Sequence, residues 1–191
     1  QVGMFSGSGF TNYNNTLFTV WAGPNDFFQG SMDPISSVDN IIGAVQALDG
    51  FGAQHILVPN MPDLGITPGA YLLSPTERAG LTALTNGFNF YLHQALAASG
   101  VSATIFEMDV QQIMYDMMGE FGNVTDNCYL ENGFYAWGLA GDYMFWDDVH
   151  PTTKAHMILA EYATDAVPVP AAIWLLGSGL LFLVGIKRKT H

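Results

Sequence analysis

The chain is 191 residues long, 49% of them hydrophobic and 12% charged, with seventeen acidic residues against five basic ones. That length is sufficient for one domain with a substantial core. Three of the basic residues stand together at 187–189, so residues 1–166 carry a formal charge of −15, with Arg78 and Lys154 as their only cations. A body this acidic repels anionic lipid and phosphate backbones, which excludes nucleic-acid binding. Cys128 is the only cysteine, so no disulfide forms within these residues.

The first predicted elements are a buried strand and an amphipathic helix. Residues 17–21 form a short apolar run that ends in the turn Ala22-Gly23-Pro24-Asn25. Residues 34–48 then place apolar side chains at spacings of three and four, which predicts a helix that ends near Gly50. Since ligands bind at the carboxyl ends of parallel strands, the turn at 22–25 is a candidate site.

Further strands and helices alternate along the rest of the domain. The remaining predicted elements are strands at 55–59 and 101–106 and helices at 75–99 and 109–118. Ser74, Pro75 and Glu77 supply a cap, a first-turn proline and an acid for the longer helix. The methionines of the later helix fall at helical spacing, which indicates core filler more than a lipid-facing surface.

Two segments are predicted to be loops, and the second of them to lie beside a site. Residues 60–68 follow the strand at 55–59, and residues 123–143 are rich in glycine, asparagine and aromatic residues without a regular period. The alternation of strands and helices around these loops predicts an α/β fold, with a parallel sheet covered by helices on both faces.

The run from Phe145 to Thr152 carries the chemistry, because it places a carboxylate three residues before a histidine just ahead of a helix. A serine hydroxyl needs an imidazole to take its proton, and the imidazole must be held in one tautomer. We therefore predict that Asp147 orients His150, that His150 acts as general base, and that Asp148 is solvated. In the alternative, Asp147, Asp148 and His150 ligate a divalent cation, although no second histidine stands at ligand spacing.

The turn after the first strand offers a partner for this pair. The Asn25 amide could donate a hydrogen bond to a developing oxyanion, and Gly23 would let the backbone turn tightly beneath it. The alternative is an ordinary turn in which Asn25 braces the loop.

The two motifs, Gly23-Pro24-Asn25-Asp26 and Asp147 to His150, resemble the later sequence blocks of the SGNH (GDSL) esterase and lipase superfamily, Gly-x-Asn-Asp and Asp-x-x-His. The resemblance implies a three-layer α/β/α hydrolase domain with a flavodoxin-like parallel sheet over residues 1–166. It also implies catalytic roles for His150, Asp147, Asn25 and Gly23, and a reaction without cofactor or metal.

The same resemblance draws attention to a serine. The family's nucleophile stands in a Gly-Asp-Ser block near the start of the domain, and the 191 residues contain no such block. Ser6 and Ser8 stand in a glycine-rich turn, and Ser178 lies in an apolar stretch that cannot meet His150. We therefore expect residues 1–166 to be the C-terminal portion of a domain that is incomplete at its N-terminus, and the chain alone to be inactive.

The tail has three ordered parts. Val167-Pro168-Val169-Pro170 precedes the apolar residues 171–186, and Lys187-Arg188-Lys189 follows them. As a helix, 171–186 would reach about 24 Å, a marginal transmembrane span whose basic end predicts a cytoplasmic C-terminus. Residues 167–191 resemble the PEP-CTERM class of bacterial sorting signals, which implies an exosortase-type processing peptidase and export to the cell envelope or medium. A plain anchor that stays attached is the alternative.

The combined prediction is a bacterial serine ester hydrolase that acts outside the cytoplasm on a small-molecule, lipid or polysaccharide ester. The competing hypothesis is a non-catalytic surface or matrix-binding protein derived from a hydrolase fold. The coding sequence upstream of Gln1 would discriminate between them, since a Gly-Asp-Ser block there favours the enzyme.

Overall fold

The computed structural model describes residues 2–30, 33–133 and 136–167. The strands are β1 (Leu17–Thr19), β2 (His55–Pro59), β3 (Thr104–Met108), β4 (Asn123–Asn127) and β5 (Tyr143–Phe145). The helices are α1 (Val2–Ser6), α2 (Pro24–Phe28), α3 (Pro34–Gly50), α4 (Pro68–Tyr71), α5 (Pro75–Ala97), α6 (Val110–Asp116), α7 (Cys128–Asn132), α8 (Ala136–Leu139) and α9 (Thr153–Ala166). Short 3₁₀ turns lie at Tyr13–Asn15, Leu64–Ile66 and Met117–Glu120.

The main sheet is parallel, in the order β1-β2-β3, with Leu17 opposite His55 and Ile56 opposite Ile105. Strands β4 and β5 form a second, two-stranded parallel pair. Parallel neighbours require crossover connections, which α3 and α5 provide. The predicted α/β fold with parallel strands is confirmed. On its far side β1 has no partner strand among the residues that the structure describes.

Successive residues of β2 enter two different cores. Ile56 and Val58 pack with α3 and α5, whereas Leu57 packs with α6 and α9 on the other face. Side chains of a strand alternate between faces, so a run of apolar residues is needed where both faces are covered. The sheet is therefore buried between helices on both sides.

Helix α5 begins as its sequence signals predict. The Glu77 N–H donates to the Ser74 hydroxyl at 3.3 Å, and the Glu77 carboxylate accepts from the Ser74 N–H at 3.0 Å. This reciprocal capping box satisfies two backbone donors that have no partner within the helix. The predicted end near Ser99 is also close, since α5 ends at Ala97.

The predicted strand at 101–106 is displaced toward the C-terminus. The N–H groups of Ser102 and Ala103 both donate to Asp49 Oδ1, at 3.0 and 2.8 Å, and so are not free to join the ladder. Strand β3 consequently begins at Thr104 and runs to Met108.

The segment 123–143 was predicted to be a loop, and that prediction is wrong. It contains β4, α7 and α8 and leads into β5. Each element is five residues or shorter, and α7 is capped by the Asn127 side chain, which accepts from the Leu130 N–H at 2.6 Å. Elements this short contain too few repeats of a hydrophobic period to be recognised, so the sequence pattern does not reveal them.

The methionines of the α6 region lie in the core as predicted, since Met108, Met114 and Met117 are all buried. In the described part of the chain, no helix has the length and apolarity that crossing a membrane requires. The predicted span at 171–186 lies outside the described residues.

Candidate active site

The predicted acid and base lie in a short loop that is closed at its neck. Phe145 forms an antiparallel bridge with Pro151, and the Trp146 N–H donates to the His150 carbonyl at 2.8 Å. The Thr152 N–H donates to the Met144 carbonyl at 2.9 Å. The loop therefore emerges from β5 and returns directly into α9.

Within this loop, Asp147 holds both the backbone and the ring of His150. Its Oδ1 accepts from the N–H groups of Val149 and His150 at 2.9 and 2.8 Å. The His150 Nδ1 lies 2.8 Å from Asp147 Oδ2 and 3.0 Å from Oδ1. An Nδ1 that faces a carboxylate carries the proton, which leaves Nε2 as the basic nitrogen.

Asp147 remains ionised at neutral and mildly acidic pH. Partial burial acts to raise the pKa of Asp147, but hydrogen bonds from the backbone of His150 and Val149 and from the His150 ring outweigh it, and the net pKa is lowered. The Asp147 side chain is 39% exposed and that of His150 is 73% exposed. An ion pair this exposed contributes little to the free energy of folding. The main effect of its geometry is therefore to orient the His150 ring.

The second motif turns sharply after β1. Gly23 has φ of +125° and precedes Pro24, the first residue of α2. A Cβ at Gly23 would lie 2.7 Å from Phe88 Cζ, so the turn sits directly on the buried Phe88 ring. Asn25, two residues on, is exposed, and its side-chain amide makes no hydrogen bond to any other residue that the structure describes.

The two motifs meet in one cavity. Gly23, Asn25 and His150 all line a cavity of about 930 Å³, while Asp147 stands behind the His150 ring. The fold thus brings the end of β1, in the main sheet, and the loop after β5, in the two-stranded pair, to the same cavity. A general base and a hydrogen-bond donor that face one space can serve acyl transfer.

Comparison with known proteins identifies the family to which this chain belongs. The family model for GDSL-like lipase/acylhydrolase matches residues 8–163. The chain belongs to the GDSL-like lipase/acylhydrolase family. It is 28% identical to the esterase EstA of Pseudomonas aeruginosa, over 85% of this chain and 28% of EstA.

Two further relatives cover more of their own length. The chain is 27% identical to a phosphatidylcholine-sterol acyltransferase of Aeromonas hydrophila, over 79% of this chain and 60% of that protein. It is 26% identical to an acetylesterase of Thermothelomyces thermophilus, over 87% of this chain and 59% of that protein. The chain therefore spans less than two thirds of each of these GDSL relatives.

The exit loop of β2 forms one wall of this GDSL-family cavity. Pro62, Leu64 and Thr67 line the cavity. The loop is held by Asp63, which is only 1% exposed and which sequence reasoning missed. Its carboxylate accepts from the Gly65 N–H at 2.7 Å, from the Thr82 hydroxyl at 3.0 Å and from the Tyr115 hydroxyl. The two hydroxyl donors come from α5 and α6, which no local motif links to Asp63.

The prediction that Asp148 is solvated is wrong. The Asn127 amide donates to Asp148 Oδ1 at 2.7 Å, and the Gly69 N–H donates to the Asp148 carbonyl at 2.9 Å. Asp148 therefore ties the loop to β4 and α4. This contact also turns its carboxylate toward Asn127, and among the described residues no three His, Cys, Asp or Glu side chains are grouped as metal ligands. The metal alternative finds no support in this geometry.

A second histidine–carboxylate pair provides an internal comparison. His93 Nδ1 lies 2.9 Å from Glu107 Oε2, and this hydrogen bond raises the pKa of His93. His93 lines a separate cavity of about 310 Å³ that includes no residue of the turn at 22–25. The pair geometry alone therefore does not distinguish His150 from His93, whereas a cavity shared with the turn at Gly23 and Asn25 does.

Hydroxyl groups in the main cavity are not placed as nucleophiles. Among the described residues, none donates a hydrogen bond to the His150 ring. The Thr67 hydroxyl donates to the Leu64 carbonyl at 2.8 Å, and Ser37 is buried within α3. The described residues thus present a base and a hydrogen-bond donor around open space.

Proposed function

We propose that this chain carries the acid, base and oxyanion side of a serine ester hydrolase. The observation that supports it most is that His150, oriented by Asp147, and the turn with Asn25 face the same cavity. Family membership supports the same reaction class, since the relatives named above include an esterase and an acetylesterase.

The nucleophile, in this proposal, is a serine on a strand that lies against β1. The cavity is lined by Phe18, Thr19 and Val20, by Ile41 of one core, and by Phe145 of the other. A space that reaches both faces of the sheet wraps around the edge of β1 that no other described strand covers, where an added strand could pair with the backbone. The segment that precedes Gln1 is the proposed source.

The reaction then proceeds by two acyl transfers. The serine oxygen bonds to the ester carbonyl carbon while His150 Nε2 takes its proton, and the carbonyl oxygen becomes an oxyanion that the Asn25 amide stabilises. The oxyanion collapses, the alcohol leaves with the proton from Nε2, and a water molecule repeats the sequence on the acyl-enzyme. Asp147 holds the imidazolium throughout.

The charge around the cavity indicates which esters fit. The described basic side chains are engaged elsewhere, Arg78 over the Tyr71 ring at 4.4 Å and Lys154 over the Phe121 ring at 4.6 Å, and neither lines the cavity. Among the described residues, an ester with a carboxylate or phosphate beside the scissile bond would find no lysine or arginine in the cavity lining. We therefore propose uncharged carboxylic esters of small molecules, lipids or polysaccharides, hydrolysed without a cofactor.

The experiment uses the full-length protein with its upstream segment and a chromogenic acetyl ester. We expect His150→Ala to lower kcat at least a thousandfold, because removal of the base leaves only binding and oxyanion stabilisation. His93→Ala is the matched control, since His93 is also exposed and paired with a carboxylate, and we expect it to retain activity. Equal rates for the two variants would contradict the proposal.

The alternative is a non-catalytic surface or matrix-binding protein. The observation that favours it is that no described hydroxyl is bonded to His150. Full-length protein that hydrolyses no ester, and whose matrix binding survives His150→Ala, would favour this second function.

A further inference from the structure

Large apolar side chains stand exposed on α2, which lines the main cavity, and on or beside α4, α7 and α8, which contact the loop that carries His150. We call them the apolar collar, and its members are Phe28, Leu72, Tyr129, Leu130, Trp137 and Leu139. Leu72 is 81% exposed and Trp137 is 79% exposed. Soluble proteins rarely leave such groups together in water unless the patch contacts another surface.

Each part of the collar is fixed to the site. Phe28 lies in α2, one turn after Asn25, and lines the cavity itself. The Tyr129 N–H donates to the Trp146 carbonyl at 2.9 Å, and the Trp137 ring centroid lies 4.7 Å from that of Trp146, the neighbour of Asp147.

Leu72 is held in place through α4. The Gly69 N–H at the start of this helix donates to the Asp148 carbonyl at 2.9 Å, so Leu72 follows directly after a contact with the loop that carries His150. The collar is therefore tied to the site at two places, through α2 to the cavity itself and through α4 and α7–α8 to the loop that carries His150.

Acidic side chains beside the collar indicate which kind of lipid headgroup it would contact. Glu131 lies next to Leu130 and Asp26 lies two residues before Phe28, whereas the described cation beside Leu72 is Arg78, which lies over the Tyr71 ring at 4.4 Å. An acidic rim repels anionic lipid and attracts a cationic outer group. Exposed tryptophan and tyrosine faces also bind quaternary ammonium through cation–π attraction.

We infer that the apolar collar docks this protein on the surface of a zwitterionic phospholipid bilayer whose outermost groups are choline. Leu72, Leu130 and Trp137 enter the headgroup layer, where aromatic side chains are favoured, and the carboxylates face the trimethylammonium groups. Docking in this orientation presents the cavity mouth to the bilayer. The docking itself does not depend on the proposed ester hydrolysis.

The experiment measures sedimentation of the full-length protein with phosphatidylcholine vesicles, which requires no turnover. We expect Trp137→Ala to weaken the partition coefficient about tenfold, because the lost ring removes a large apolar contact. Phe90→Ala is the matched control, since Phe90 is 62% exposed but lies far along α5 from the collar. It should bind as the parent does, and the tail at 167–191 is common to all three proteins.

Several results would overturn the inference. Equal loss for Trp137→Ala and Phe90→Ala would show that the collar has no special part in binding. Binding to phosphatidylglycerol vesicles as strong as to phosphatidylcholine would contradict the selection by charge. If Trp137→Ala changed only the sedimentation velocity of the protein alone, the collar would be a contact between two copies. If it weakened only the retention by an acetylated polysaccharide, the collar would be a sugar-stacking surface.

Discussion

Asp147 holds the loop backbone and the His150 ring with the two oxygens of its charged carboxylate. One oxygen accepts the backbone N–H groups that shape the loop, and the other faces His150 Nδ1. Because the pKa of Asp147 is lowered, the carboxylate is available throughout the range in which a neutral imidazole can act as a base.

We therefore predict that Asp147→Asn lowers kcat of the full-length protein on the order of 10⁴-fold, since an amide can hold the wrong tautomer of the ring. Steady-state kinetics with KM reported separately would measure it, and KM should change little. Asp148→Asn is the control, because an amide can keep the contact with Asn127 and never faces the His150 ring. An Asp147→Asn enzyme within tenfold of the parent would contradict the assignment.

Asn25 gives a second prediction for single residues. Asn25→Ala should lower kcat about a hundredfold, the effect that loss of one oxyanion donor has in other enzymes. Because the Asn25 amide has no partner among the described residues, folding stability should not change, and a melting curve would check this. A variant with normal turnover would assign Asn25 to the turn alone.

Gly23 is required by packing as well as by its dihedral angle. Gly23→Ala should destabilise the protein by about 3 kcal/mol, because alanine is strained at φ of +125° and its Cβ would press on Phe88. Gly30→Ala is the control, since Gly30 also has a positive φ of +92° but has open space around it, and we expect about 1 kcal/mol. Urea denaturation would measure both, and equal losses would exclude the Phe88 contact as the cause.

At the scale of elements, the exit loop of β2 depends on one buried carboxylate. Asp63 gathers hydroxyls from α5 and α6 and thereby fixes the wall formed by Pro62 and Leu64. Burial, and after it the hydrogen bond to Asp63, raises the pKa of Tyr115 to about 12. The folded state therefore favours the neutral phenol.

The sign of this pKa shift gives a pH prediction. A group whose pKa is raised in the folded state contributes stability below its unfolded pKa, here 10.0, and loses that contribution as pH rises through about 12. At pH 8 the free energy of unfolding of the parent should exceed that of Tyr115→Phe by about 1 kcal/mol. The difference is small because Tyr115 is partly exposed. Denaturation at several pH values would show the difference vanish between pH 10 and 12, and a constant difference would contradict it.

Elements with local signals were predictable, and those held by distant contacts were not. Helix α5 follows from Ser74 and Glu77, which lie within one turn of each other. The turn at Gly23 and the pair of Asp147 and His150 are likewise contiguous motifs. By contrast, the start of β3 depends on Asp49 from α3, and the place of Asp148 depends on Asn127. Such partners come together only when the sheet has formed.

At the scale of the whole molecule, the cavity is lined by residues of both cores and passes the edge of β1 that faces away from β2. Ile41 belongs to one core and Met114 to the other, yet both line the same space. The family could be predicted from the sequence, but the shape of this space depends on how α3, α6 and the loop after β5 pack together.

The tail gives a prediction for the intact protein in its cell. We propose that residues 167–191, of which the structure describes only Val167, act as an export and sorting signal that an exosortase-type peptidase removes. An epitope placed after His191 should then be absent from the mature protein at the cell surface or in the medium, as intact mass would show. Retention of the epitope on surface protein would instead indicate a permanent anchor.

The closed neck between Phe145 and Pro151 has a consequence for how relatives of this chain should be judged. Acid and base sit in one short segment whose geometry is set by its own backbone bonds. Divergence can therefore erase the attacking group elsewhere and leave this pair undisturbed. A relative that keeps the Asp147–His150 pair can therefore share an ancestor with hydrolases without being one. Only a turnover measurement shows whether such a relative still hydrolyses an ester.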